Sequence, residues 1–275
     1  MRTYSIVVYL FLYVPIGIIV LFSFNSGRHA SDFVGFSAKW YGKALSNPFM
    51  MDALVSSLII AFSAATLSSI MGTTAALALQ RMRGPVRVMF DGLIYVSIMI
   101  PGIVIGIATL VALVTVFDTL NPLLSTLWPG DNRPPKLSLG YLSVIAAHTL
   151  FTMSLVIVLV RARIAGMDRT LIEASQDLYA TPWQTFRQIT LPQISPAILA
   201  GFLLSFTFSF DDFIISFFVA GSNTTLPIYV FSSIRRGITP EVNAIGTMVL
   251  AVSLTLLIIA QVLLRTRENK TSNGN

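Results

Sequence analysis

RARIAGMDRTLIEASQDLYATPWQTFRQITLPQIS, residues 161–195, is a charged, helix-capable stretch between two apolar runs, Leu139 to Val160 and Ala197 to Ala220. Each flanking run can cross a bilayer core, which takes about 20 apolar residues in helical form. The polar stretch therefore presents a shaped surface outside the membrane. Four more runs lie outward from it: Tyr4 to Phe24, Ala53 to Leu79, Leu93 to Phe117 and Val242 to Leu264. Hydrophobic residues are 55% of the chain and charged residues 11%, which excludes a soluble surface. The expected architecture is all-α and integral to the membrane: one domain over residues 1–275, with six transmembrane helices and the 161–195 loop.

Lys and Arg resist translocation and so set orientation. With the N-terminus inside, the inner segments hold eleven of them and the outer segments seven, and the short Arg81 to Arg87 loop has three arginines and no acid. Both termini and the 161–195 loop are thus expected to be cytoplasmic. The net charge of +6 is mainly this topology signal: no basic stripe with interleaved aromatics points to nucleic acid. The absence of cysteine excludes disulfides, thiolate metal sites and cysteine nucleophiles. Tyr4 to Phe24 is read as a retained span, because its flank carries only Arg2 and no small-x-small site follows at Ser23 to Gly27.

Small residues predict close helix approach. Ser68, Gly72 and Ala76 recur every four residues in the second run, and Gly102 and Gly106 form a G-x-x-x-G in the third. These two spans are expected to pack at the centre, with a kink at Pro101. Phe33, Phe36, Trp40 and Tyr41 mark Asn25 to Asp52 as an interfacial segment. Leu226 to Ile238 is apolar but too short to span, so a re-entrant or surface helix is expected.

Within the loop, Thr170 to Glu173 and Thr181 to Gln184 both fit a capping box, the second with Pro182 at the first helical position. Two short helices follow, Leu171 to Tyr179 and Pro182 to Ile189, ended by Pro192. Ala174 and Leu178 share one face of the first, and Glu173 and Asp177 the neighbouring one. Trp183 and Phe186 are apolar anchors if the loop docks.

These residues carry a resemblance. Glu173-Ala174-Ser175, then Asp177-Leu178, Phe186, Ile189-Thr190-Leu191-Pro192 and Pro196 resemble the EAA loop of bacterial ABC importer permeases. The resemblance implies the type I importer permease fold and a cytoplasmic loop that docks into a groove on an ATPase. It also implies partners: a second permease in a heterodimer, an ATPase dimer and an extracytoplasmic solute-binding protein, in the bacterial inner membrane. Tyr179 departs from the family, which usually has glycine there to allow positive φ. Ser209-Phe210-Asp211-Asp212, Pro101 to Gly106 and Pro240 to Asn243 further resemble the second permease of spermidine/putrescine importers. The chain has no G-x-x-x-x-G-K-[ST], so ATP and Mg²⁺ are expected on the partner ATPase, with no cofactor bound by this chain.

Asp211 and Asp212 stand apart from any resemblance, since each costs about 2.5 to 3.5 kcal/mol at the centre of a membrane helix. At 1.5 Å per residue Asp212 lies about 24 Å from Pro196. Ser205, Ser209, Asp212 and Ser216 recur at helical period and are expected to line a water-filled path, with Asp211 about 100° away. Carboxylates beside Phe208, Phe210 and Phe213 suit a cationic solute, a polyamine or another amine, opine or amino-acid-like molecule. The alternative is that the acids pair with Arg235 or Arg236. His148 has no second ligand-type residue in its span and is expected to be packed and hydrogen-bonded. An intramembrane protease is disfavoured, for adjacent aspartates on one helix diverge and no G-x-S-x-G is present. A secondary transporter normally shows internal repeats, and none is visible.

Overall fold

The computed structural model describes residues 2–28, 32–128, 134, 136–168, 170–237 and 239–255. They form α1 (Arg2–Ser23), α2 (Lys39–Ser46), α3 (Pro48–Arg81), α4 (Pro85–Met99), α5 (Gly102–Leu127), α6 (Tyr141–Ala165), α7 (Thr170–Asp177), α8 (Pro182–Thr185), a π-helical turn (Phe186–Thr190), α9 (Leu191–Asp211), α10 (Ile214–Val219) and α11 (Leu226–Arg236). A further helical stretch covers residues 240–255. The rest of the expected sixth span lies outside the described residues. Five described helical segments are long and apolar enough to cross a membrane.

The chain divides into two compact units, Met1–Asp52 with Tyr229–Asn275, and Ala53–Ile228. In the first, the aromatic segment is organised by the buried Asn25. Its Nδ2 donates to the Asp32 carbonyl at 2.7 Å, its Oδ1 accepts from the amides of Gly27 and Val34, and its carbonyl accepts from the Trp40 indole at 2.7 Å. The ammonium groups of Lys39 and Lys43 lie 5.1 and 4.9 Å from the Trp40 ring centroid, within cation–π range. Glu241, also buried, accepts from Asn47 Nδ2 at 2.7 Å and faces Lys43 at 3.9 Å.

The second unit is built around α6, the most deeply buried of its long helices: 56% of its apolar window is buried, against 6% for α5. This corrects the expectation for the third span, which is not central; the second, 44% buried, is closer to what was expected. The small-residue stripe of α3 faces α6: Ser68 Oγ lies 2.6 Å from Thr152 Oγ1, and a Cβ at Gly72 would sit 2.8 Å from that of Val156. Gly201 of α9 approaches the same valine from another side, with a Cβ there meeting both Val156 methyl carbons at 3.3 Å. Only two glycines let α3 and α9 come this close. In α5, Gly106 packs on Phe218 of α10, whereas Gly102 has nothing closer than a methyl of Ile214 at 4.0 Å.

The third and fifth spans are not single helices. Pro101 does more than kink its span: α4 ends at Met99, Ile100 takes an extended ψ of 133°, and α5 starts afresh. A proline disfavours helical ψ in the residue before it, which accounts for the position of the break. The fifth span breaks between α9 and α10 at Asp212, with ψ 116°. Conversely, Pro192 does not end the second loop helix. The chain passes from α8 through the π turn directly into α9, the Leu191 amide reaching back to the Phe186 carbonyl. A proline ring clashes with the carbonyl four residues earlier in an α-helix, and the wider turn before Pro192 relieves that crowding.

Gly72→Ala is expected to destabilise the purified protein by about 1 to 3 kcal/mol through overpacking, and Gly201→Ala by less. Adding Val156→Ala to Gly72→Ala should recover part of the loss in a thermal melt. Strict additivity of the two changes would show that the contact is not as drawn.

Candidate functional site: a docking loop and a broken membrane helix

The loop folds as one small body. The Ser175 and Thr185 hydroxyls, both buried, lie 2.9 Å apart and join α7 to α8. Thr181 caps α8 as expected: its Oγ1 accepts from the Gln184 amide, and Gln184 Oε1 accepts from the Thr181 amide at 2.8 Å. Thr170 does not play the corresponding role. It lies inside α7, and its amide is taken by Asp168 Oδ1 at 2.9 Å. Hydrogen bonds from the Thr170 amide, then from its hydroxyl, hold the Asp168 carboxyl below its ordinary pKa. That cap is therefore complete above about pH 4 and is lost as pH falls through the lowered value.

Tyr179, where the family pattern fails, has φ 57° and is the only non-glycine residue with positive φ among those described. The Ala180 amide donates to the Ser175 carbonyl at 3.0 Å and the Tyr179 amide to the Gln176 carbonyl at 2.9 Å. That bonding pair is a Schellman ending, the turn for which glycine is the usual residue. The departure in sequence thus leaves the turn intact, because the tyrosine takes the left-handed conformation at a local cost of about 1 to 2 kcal/mol. Its side chain is 95% exposed. Leu178 and Trp183 are exposed as well, so a polar loop carries a cluster of bare apolar side chains. Exposed apolar patches of this kind mark interaction surfaces. Glu173, Ala174 and Asp177 are also exposed, Phe186 and Leu191 are half-buried, and Pro192 is exposed at the start of α9.

The second constellation is the break in the fifth span. Ser205, Ser209 and Ser216, expected on a water-filled path, are buried instead, with Ser209 and Ser216 turned toward α6. There they meet His148, itself 1% exposed. His148 Nδ1 lies 2.7 Å from Ser209 Oγ, and its Nε2 lies 3.2 Å from Ser216 Oγ and 3.3 Å from Asp212 Oδ2. An ionised Asp212 only accepts, so Nε2 carries the proton that faces it and Nδ1 accepts from the Ser209 hydroxyl in the neutral ring. Asp212 Oδ2 also accepts from the Ser216 amide at 2.9 Å, satisfying a backbone donor that the break leaves free. His148 is packed and hydrogen-bonded as the sequence suggests, but its pairing with an aspartate 64 positions later was not foreseen. No sequence pattern relates the two residues.

Asp211 points elsewhere. On α9 the exposed positions run Leu203, Leu204, Thr207, Phe208 and Asp211, on the face opposite Gly201, Ser205 and Ser209. The two acids are thus divided: Asp212 is held inside the chain and Asp211 is presented outward, one turn from the exposed ring of Phe208.

A polytopic helical protein with a two-helix polar loop and a broken span carrying carboxylates belongs to the class of membrane transport subunits. Residues 64–272 match the family described as binding-protein-dependent transport system inner membrane component, and the chain belongs to that family. It is 36% identical over 265 residues to the spermidine/putrescine transport system permease protein PotC of Haemophilus influenzae, covering 96% of each chain. It is 40% identical over 244 residues to the putrescine transport system permease protein PotI of Escherichia coli K12, covering 87% of this chain and 82% of that one. Among solved structures, a bacterial ABC transporter involved in import of the acidic polysaccharide alginate matches with a TM-score of 0.73 at 16% identity, over 95% of this chain and 92% of that one. An amino acid ABC transporter matches with a TM-score of 0.55 at 20% identity, over 82% of this chain and 97% of that one. At these identities the structures establish the fold.

Tyr179→Gly should slow hydrogen exchange at the Ala180 amide about fivefold, by removing about 1 kcal/mol of left-handed strain. Tyr179→Val should speed it, since a β-branched residue tolerates that conformation less well. Equal rates in all three proteins would contradict the assigned turn.

Proposed function

We propose that this chain is one of two permease subunits of an ATP-driven importer for a small organic cation, a polyamine such as putrescine or spermidine. The observation that carries the solute class is Asp211: a carboxylate exposed on a membrane helix, beside an exposed phenyl ring. Such a charge cannot face lipid without a cost of several kcal/mol, so it faces a polar path or a partner subunit. A primary ammonium is attracted both to the carboxylate and to the face of Phe208. The names of the relatives agree with this chemistry. Asp212, Ser205, Ser209 and Ser216 stand behind the path and shape the break from which Asp211 projects.

The remaining assembly follows from the loop and the family. Glu173, Ala174, Ser175, Asp177, Leu178, Tyr179, Phe186, Leu191 and Pro192 form or brace the surface that meets a cytoplasmic ATPase dimer, with Leu178 and Trp183 as apolar anchors. ATP and Mg²⁺ are held by that partner, and this chain binds no cofactor of its own. A second, non-identical permease completes the path, and an extracytoplasmic solute-binding protein delivers the solute. The loop and both termini lie on the cytoplasmic side of the bacterial inner membrane, as the arginine distribution supports.

Reconstituted with its partners in proteoliposomes, the wild-type protein should take up putrescine only when ATP is enclosed with the ATPase. Asp211→Asn should reduce that uptake tenfold or more, the loss of one charge-assisted hydrogen bond, while the subunits still co-purify. Undiminished uptake by the Asn variant would remove Asp211 from the path. Uptake without ATP would point to a secondary transporter.

A further inference from the structure

His148 touches both sides of the break in the fifth span. Ser209 belongs to α9, Asp212 is the interruption itself and Ser216 lies in α10, and one imidazole meets all three within 3.3 Å. A second bond fastens α10 to the same helix: Ser143 Oγ of α6 donates to the Val219 carbonyl at 2.7 Å. The short α10 is therefore tied to α6 in its first half and at its last residue, whereas its connection to α9 runs through Asp212 and Phe213, which lie in neither helix.

At its other end, α6 leads directly into the loop. It is helical without interruption from Tyr141 to Ala165, so about 25 Å of continuous helix separates His148 from the loop. Nor is α6 free to slide past α3 and α9, since Val156 is gripped between Gly72 and Gly201. Arg161 is paired with Asp91 of α4 at the same end.

We propose that His148 is the positioning residue that passes movement of the loop to the break. Displacement of the loop moves α6 as a rod together with α9, which Val156 and Ser209 fasten to it; His148 and Ser143 make α10 follow across the joint at Asp212. Asp211, at the last residue of α9, keeps its orientation relative to α10 in that movement. Without His148, the joint would absorb the motion. The inference rests on the reading of the loop as the surface that an ATPase moves, and not on which solute is carried.

The chain contains no cysteine, so spin labels can be placed by substitution alone. Leu142 of α6 and Phe217 of α10 are both exposed, and Leu142→Cys with Phe217→Cys reports the distance between those helices in the assembled transporter. The expected result is one narrow distance distribution that is the same with and without a non-hydrolysable ATP analogue. In His148→Ala the distribution should broaden and become nucleotide-dependent. In proteoliposomes with the binding protein, putrescine taken up per ATP hydrolysed should fall about fivefold or more in that variant, with ATP hydrolysis in the absence of solute unchanged. His148→Gln, whose amide reaches Asp212 and Ser216, should restore more of the ratio than His148→Asn, which reaches only Ser209.

A distance distribution unaltered by His148→Ala would overturn the proposal, as would a parallel loss of assembly, hydrolysis and uptake. If His148→Ala does not assemble, Ser209→Ala with Ser216→Ala removes two of the three contacts of His148, leaving that with Asp212, at nearly constant volume and must broaden the distance for the proposal to stand. Failure of the wild-type assembly to carry putrescine would count against the polyamine reading alone, because the distance measurement decides the role of His148 without a solute.

Discussion

The contact on which the second unit depends is that of Val156 with Gly72 on one side and Gly201 on the other. In a membrane there is little hydrophobic gain from bringing helices together, so association rests on dispersion between closely fitted surfaces and on polar contacts. Both are present here. The glycines let two backbones approach α6 to the distance at which a valine fills the gap, and the hydroxyls of Ser68 and Thr152, 2.6 Å apart, add a polar tie beside it. With α3 and α9 fixed to α6 in this way, the positions of the loop at one end and the broken span at the other are set by a single helix.

Breaking a helix inside a membrane leaves amides and carbonyls that lipid cannot satisfy. The two interruptions meet this demand differently. At Pro101 one missing amide is proline's own, and the Pro101 carbonyl accepts from the amides of Val104 and Ile105 at 2.9 and 3.3 Å, which starts the new helix without a side-chain cap. At Asp212 a side chain is required: its carboxylate takes the Ser216 amide, and a buried imidazole in turn holds the carboxylate. The first break follows from backbone chemistry at Pro101. The second depends on α6, which makes it the one whose geometry another part of the molecule can alter.

Much of this was legible in the sequence. Hydropathy alone located the apolar runs, since their composition leaves no other environment open to them, and the Thr181 to Gln184 cap was readable because its partners are three residues apart. The pairing of helices was not. The stripe Ser68, Gly72, Ala76 announces a close approach but does not say to what, and the similar Gly102 and Gly106 lie on a helix that is mostly exposed. The serine stripe of the fifth span shows the same limit. Its period was correctly read, but a polar stripe on a membrane helix can face water or can face another buried polar group. Only the position of His148, on a different helix, decides between them. Thr170 differs for a smaller reason: Asp168, two residues earlier, takes the amide that Glu173 would accept in a capping box.

Tyr179 and Asp211 illustrate opposite ways of departing from what a residue's surroundings favour. Tyrosine in the left-handed region is strained, yet its turn is kept by two backbone hydrogen bonds that fix the end of α7, and the ring is left almost wholly exposed. Strain there maintains a surface. Asp211 has no comparable support within the described contacts of its own helix: its neighbour Asp212 takes the histidine and the free amide, and Asp211 is left facing outward. If both acids were bound internally, the span would gain stability and lose any means of attracting a cation. If neither were, the break would have an unsatisfied amide in the membrane. The adjacent aspartates are kept apart because Asp211 is the last residue of α9 whereas Asp212 is the interruption itself, its carboxylate turned to His148 and the Ser216 amide.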